Sequence, residues 1–303
     1  MPRIICAGLI AADLVFDVAE FPVKGTKNRA TGSHMTTGGG ALNAASTIAS
    51  LGGDASLAGA IGDDASGAFL RKKMADRRID DQFVSTIPRI PTSRSANMLT
   101  PDGDRTIINH RDSALIPCDF ALPPEFQFDA ALVDTRWSEG AALIVKAARR
   151  IGKPAVVDAE APVAHAAQVL ALASHVVFSE QGLADYCGGS DAAALTLAQK
   201  RLGNWCAVTR GPLPVLCHDG RCLTEIPTYP TTAVNTLGAG DVWHGAFALA
   251  LSNGCSENEA VHWANAAASL KVSRPIHDET LPTAAEVDAL LGSGSTQSTE
   301  GSQ

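Results

Sequence analysis

The chain has 303 residues, 46% of them hydrophobic, and a net charge of −8. That apolar share excludes a chain disordered throughout, and the acidic balance excludes the broad basic face that nucleic-acid binding needs. No apolar run reaches the ~20 residues of a membrane span, so the expectation is a cytoplasmic protein with neither membrane nor nucleic-acid partners.

The first stretch, "MPRIICAGLIAADLVF", meets Asp13 and Asp17 early and has no small-residue cleavage site. It reads as a buried strand rather than a signal peptide. "ALNAASTIASLGG" has helical periodicity and ends on a glycine pair, a common stop signal. "ASLAGAIG" reads as a strand and "ASGAFLRKKMADRRI" as a helix; "DAALVD", "EGAALIVKAARRIGK" and "PAVVDAE" continue the alternation. So do "HVVFSE", "QGLADYC", "LTLAQKRLGN" and "CAVTRG". This β-α-β-α rhythm predicts a mostly parallel sheet covered by helices on both faces. The seven cysteines are scattered without a CxxC pair and read as reduced thiols packed like small hydrophobes.

Two regions break the rhythm. Residues 14–37 hold no helix, and residues 91–112 read as two strands joined by a turn at "PDGD". Both fit a small sheet that projects from the body as a lid over the C-terminal edge of the main sheet. One domain over residues 1–292 is expected, followed by a Gly/Ser/Thr/Gln-rich tail over 293–303.

Two glycine-rich helix entrances carry the chemistry. In "VNTLGAGDVWHGAF", Gly238, Ala239 and Gly240 have almost no side chain, so their amides can approach an anion at the start of a helix. Asp241 would repel that anion, which makes sense if it is a base that takes a proton from an attacking hydroxyl. Read by spacing alone, it is a helix cap before it is a base. "TTGGGALNAASTIASLGG" puts Gly38, Gly39 and Gly40 before a helix that carries Asn43. Neither stretch matches GxxxxGK[ST] or a first-turn GxGxxG, which excludes a P-loop enzyme or a standard dinucleotide-binding dehydrogenase.

These two motifs, in this order and roughly 200 residues apart, resemble the ribokinase-like (PfkB) carbohydrate kinases over nearly the whole chain. The resemblance implies a three-layer α/β/α fold with a β-sheet lid, and transfer of the γ-phosphoryl group of ATP to a sugar hydroxyl with Mg²⁺. It implies Asp241 as base, with Gly238, Ala239, Gly240 and Asp241 as anion hole. It implies Asp13, Gly39 and Asn43 on the sugar side, and Thr209, Gly211 and Asn265 on the nucleotide side, where Asn265 would lie beside the adenine. A homodimer through the lid is implied as well. The chain departs from the family at "SEQG", where an Asn-x-x-Glu motif organises Mg²⁺ through water. Ser179 replaces the Asn, Glu180 remains, and Gly182 stands where a further acid would be, so no direct metal ligand is assigned. Asn235 replaces the signature's first Asp, which leaves the use of K⁺ open.

Within the family, "DTRWSEGA", "RTIINH", "FSEQGLA" and "LKVSRP" resemble the subgroup that phosphorylates 6-deoxy-6-sulfofructose to the 1-phosphate. That resemblance implies Lys27, Asn109 and Arg136 as the sulfonate holders. Their chemistry agrees, since an anionic group needs charged and neutral donors. The alternatives are a kinase for a 6-phosphosugar, a neutral ketose or another small sugar, and an idle sugar- or nucleotide-binding sensor.

Overall fold

The computed structural model describes residues 1–101, 104–117, 119–275 and 280–294. The centre of the expected "PDGD" turn, Cys118 and most of the expected tail lie outside the described residues. The described cysteines are free thiols.

A nine-stranded sheet forms the body. Its parallel strands are β1 (Arg3–Ala7), β4 (Asp54–Gly62), β5 (Asp80–Ile87), β8 (Ala130–Asp134), β9 (Ala155–Ala159), β10 (His175–Ser179) and β11 (Trp205–Arg210). An antiparallel hairpin, β12 (Leu213–His218) and β13 (Leu223–Ile226), adds one edge. The spatial order is β13-β12-β11-β10-β9-β8-β1-β4-β5. Neither β5 nor the β12–β13 hairpin was expected from sequence. Both lie at sheet edges, where one-sided burial blurs the hydrophobic signal that marks a central strand.

Two apolar clusters, one per face, make the three layers. Under one face pack α1 (Gly40–Ser50), α2 (Ala65–Asp76), α7 (Ala239–Ser252), α8 (Glu257–Val272) and α9 (Ala284–Gly294), through residues such as Leu42, Leu70, Phe247, Val261 and Val287. Under the other pack α3 (Ser138–Arg150), α4 (Ala167–Leu172), α5 (Glu180–Cys187) and α6 (Ala192–Leu202), through Ile144, Leu170, Leu183 and Leu195. Alternation in β1 feeds both: Ile4 and Cys6 join one cluster, Ile5 and Ala7 the other.

The second sheet stands apart, with four strands in the order β3-β2-β6-β7. β2 (Ala11–Asp17) and β3 (Gly32–Gly38) come from the first expected lid segment, β6 (Ser93–Leu99) and β7 (Arg105–His110) from the second. β2–β3 and β6–β7 are antiparallel, and β2–β6 is parallel. On its inner face Asp13, Val15, Ser93 and Asn97 are buried, whereas Leu14 and Met35 on the outer face are exposed.

Candidate active site

Strand order locates the site before any side chain does. From β1 the chain winds out to β4 and β5 on one side, and to β8 through β11 on the other. The crevice between the C-terminal ends of β1 and β8 is therefore the topological switch point, where open α/β sheets bind ligands. Gly8 follows β1 with φ +146°, and any Cβ there would overlap the carboxylate of Asp134 at the end of β8. Asp134 fastens the two strand ends: its Oδ2 accepts from the Leu9 amide at 2.7 Å and its Oδ1 from the Arg136 amide at 2.8 Å. Burial, helped by repulsion from Asp158, pushes its carboxyl up to about 6 despite those bonds.

The Gly38–Gly40 run lets the backbone pass close to this cluster. Gly39 has φ +87°, and a side chain there would strike the Leu9 carbonyl. A Cβ on Gly40, the first residue of α1, would lie 3.5 Å from Asp158 Oδ2, 3.5 Å from Asp241 Oδ1 and 3.6 Å from Asp134 Oδ2. Three carboxylates thus crowd the first turn of α1, where the positive end of the helix dipole softens their repulsion.

The second glycine turn closes the site. Gly238 is left-handed, with φ 74°, and caps α7. Its carbonyl accepts from the Val242 amide, and the Ala239 amide is taken by the Thr236 carbonyl at 3.3 Å. Among the described residues no acceptor takes the amides of Gly240 and Asp241, so this pair is left free to donate. Asn43, on α1, donates from Nδ2 to Asp241 Oδ2 at 2.8 Å, a bond across 198 residues. Burial first, then Asp158, push the Asp241 carboxyl up to about 7; Asn43 and His244 act against that rise. A carboxyl poised near neutrality is what a general base requires.

Asp13 lies beside this centre. It is 7% exposed, accepts from the Ser95 hydroxyl, and faces Gly38, where a Cβ would overlap it. Burial raises its pKa, with the hydrogen bonds of Ser95 and Asn97 opposing. A cleft lined by Val15, His34, Asn43, Asn235 and Gly238 runs between the inner lid face and the starts of α1 and α7. It borders Asp241 without being lined by it.

The other expected positions divide. Thr209, next to last in β11, lies beside Ser179 in register, and Gly211 forms the exposed turn into β12 with φ 57°. Asn265 departs from expectation: it is 2% exposed, accepts from Trp243 Nε1 at 2.7 Å and donates to the Pro227 carbonyl at 2.9 Å. Its side chain ties α8 to α7 and is committed to packing rather than offered to a ligand. At "SEQG", Ser179 caps α5 by accepting from the Gly182 amide at 2.9 Å, and Glu180 is exposed. A Cβ on Gly182 would overlap the Ala159 carbonyl, so close helix–strand packing forbids an acid there.

Arg136 lies at the site's edge, half-buried, and donates to the Ala161 carbonyl at 2.8 Å. Lys27 and Asn109 are exposed in the lid, and no hydrogen bond joins the three. Sequence reasoning missed Arg111, whose guanidinium donates to the Arg136 carbonyl and feels the Arg136 charge. It also missed Asp134, Asp158 and His244. The available signal was an acid ending or nearly ending an apolar run, in "AALVD" and "AVVDA".

The sequence profile of the pfkB family carbohydrate kinases matches residues 1–284. The chain is 25% identical over 295 residues to the ribokinase of Lactococcus lactis, covering 96% of this chain and 97% of that one. The crystal structure of a ribokinase-like protein from Agrobacterium tumefaciens superimposes with TM-score 0.92 at 31% identity, over 97% of this chain and 99% of that one. A ribokinase of Arabidopsis thaliana, solved with ribose and ATP, shares the fold with TM-score 0.79 at 22% identity, over 96% of this chain and 98% of that one. With that profile spanning both glycine turns, Asp241 and the lid, the chain belongs to the pfkB family and is a carbohydrate kinase.

Proposed function

We propose that the chain transfers the γ-phosphoryl group of ATP to a hydroxyl of a ketose, with 6-deoxy-6-sulfofructose as the favoured acceptor and its 1-phosphate as product. The observation that carries the reaction is the pairing of Asp241 with the free amides of Gly240 and Asp241 at the start of α7. The sugar hydroxyl donates to Asp241, which takes its proton as the oxygen attacks the γ-phosphorus. ADP leaves with the electrons of the broken P–O bond. Charge on the transferred group faces the two amides, which are fixed before the reaction begins. Asn43 orients the carboxylate, and Asp13 would grip the hydroxyls of the bound sugar. The lid's position over the crevice supports a closing role that keeps water from the phosphoryl group. Thr209, near the C-terminal end of β11, and Gly211, in the turn that follows it, would face the nucleotide.

Among the described residues no group of three or more His, Cys, Asp or Glu could hold a metal ion. Mg²⁺ is commonly carried by nucleotide phosphates and water, and exposed Glu180 would reach it through water. The ion would neutralise phosphate charge. Asn235, 8% exposed, accepts at its Oδ1 from the Leu237 amide at 3.0 Å and holds the signature turn without charge.

For the acceptor, support comes from Arg136 and Arg111 at the end of β8, with Lys27 and Asn109 on the lid above. A sulfonate carries one charge and a phosphate monoester nearly two at neutral pH. A neutral donor such as Asn109 suits the former. The outer lid face supports a homodimer: Met35, Leu14, Ala96 and Ile108 form one cross-strand row, and Leu14, Met35 and Ile108 are 41%, 40% and 62% exposed. None of the described helices is long and apolar enough to cross a membrane, which is compatible with a cytoplasmic site of action. The test is kcat/KM for sulfofructose, fructose 6-phosphate, fructose and ribose. A preference for any of the last three overturns the acceptor and leaves the kinase standing.

A further inference from the structure

Resting on the reading of Asp241 as base, we propose that His244 is a positioning residue whose imidazolium, held between the Gly240 carbonyl and Asp158, keeps Asp241 in the carboxylate form. His244 lies one turn after Gly240 in α7 and is 4% exposed. Its Nδ1 is 2.7 Å from the Gly240 carbonyl oxygen, which can only accept, so Nδ1 carries a hydrogen. Its Nε2 is buried without a hydrogen-bond partner, and the nearest opposite group is Asp158 Oδ1 at 3.6 Å. That is too long for a hydrogen bond but within ion-pair reach. A neutral ring would aim the Nε2 lone pair at a carboxylate and leave both unsatisfied, whereas a second proton converts the contact into attraction. The proton count therefore calls for imidazolium facing carboxylate.

The surroundings give this charge a task. The groups that bear on Asp241 are Asp134 from β8, Asp158 from β9 and His244 from α7, with uncharged Asn43 from α1. Asp13 and His34 lie on the inner lid face beyond them. Among the groups that bear directly on Asp241, two carboxylates oppose its ionisation and His244 alone brings positive charge. Without His244 the base would hold its proton at neutral pH and could not accept one from a sugar. The same ring bonds the Gly240 carbonyl, which fixes the peptide plane joining Gly240 to Asp241 and so the aim of the Asp241 amide at the transferred group.

The experiment compares pH profiles of kcat/KM for the wild type, His244→Asn and Asp241→Asn, and reads the His244 ring by ¹⁵N NMR. Asn keeps a donor in the place of Nδ1 and removes the charge. Loss of a nearby opposite charge shifts a carboxyl by about 1–3 units. His244→Asn should therefore lose about 10-fold or more at pH 6.5 and recover most of that by pH 9. The wild-type ring should carry protons on both nitrogens at pH 7.5 and lose one in Asp158→Asn. An acidic limb unmoved in His244→Asn, a loss equal at every pH, or a neutral ring in the wild type overturns the proposal. If His244→Asn does not fold, His244→Gln and the NMR reading decide. Failure of the underlying reading looks different: Asp241→Asn would then retain its turnover.

Discussion

Asp241→Asn should make a protein that is nearly inactive and more stable. In the folded chain, burial and Asp158 raise the Asp241 carboxyl from 3.8 to about 7. A carboxyl raised in this way favours folding only in its protonated form. Its contribution is present below pH ~4 and is lost as pH climbs through about 7, because the unfolded chain ionises first. At pH 8 a shift of about three units corresponds to roughly 4 kcal/mol of destabilisation. Asparagine removes the charge and keeps the shape, although Asn43 Nδ2 then donates to a neutral oxygen and some of the gain is lost. A net gain of about 2–4 kcal/mol remains, equal to a rise in Tm of several degrees for a chain of this size. As pH falls below about 7 the gain should shrink, vanishing near pH ~4, since the wild-type carboxyl in the folded chain is then protonated. Turnover should fall by about 10²- to 10⁴-fold, the usual contribution of a positioned base. Thermal melts of both proteins from pH 5 to 8, with turnover in a coupled ADP assay and calorimetric titration of ATP, check both halves. Equal or lower Tm for the mutant at pH 8 would show that the wild-type charge is not strained. Near wild-type turnover would remove Asp241 from the mechanism.

Gly182→Glu, which puts back the acid expected at that position, should destabilise rather than restore metal binding, because its Cβ overlaps the Ala159 carbonyl. Forcing α5 off β9 costs about 1–3 kcal/mol or more, and a Tm equal to wild type would refute the steric account. Arg136→Ala should cut kcat/KM for the anionic sugar by about 10- to 150-fold, the worth of one hydrogen bond to a charged group. Activity on neutral fructose should change far less, and equal losses on both would take Arg136 out of anion recognition. Ile108→Arg on the outer lid face should give a monomer by sedimentation if the exposed row is an interface; an unchanged sedimentation coefficient would leave that row without the proposed partner.

The layered α/β body was legible because its central strands are buried on both faces and read as unbroken apolar runs, such as "AALVD" and "AVVDA". The glycine turns were legible for a related reason: the positive φ of Gly39 and Gly238 favours glycine, so the backbone's need is written in the residue type. The lid segments announced themselves by breaking the helical rhythm. Tertiary structure alone decided which acids meet. Asp134, Asp158 and Asp241 come from β8, β9 and α7, and converge on Gly40 only because the strand order puts β8 beside β1. The pairing of Asn43 with Asp241, 198 residues away, is likewise a product of where α1 and α7 begin in space. Asn265 and Gly182 carry the same lesson in reverse. Their residue types invite a reading at the ligand, but one is spent on Trp243 and Pro227 and the other on room for a carbonyl. A side chain's role depends on which neighbours have already claimed its donors and its space, and those neighbours are set by packing between elements far apart in the chain.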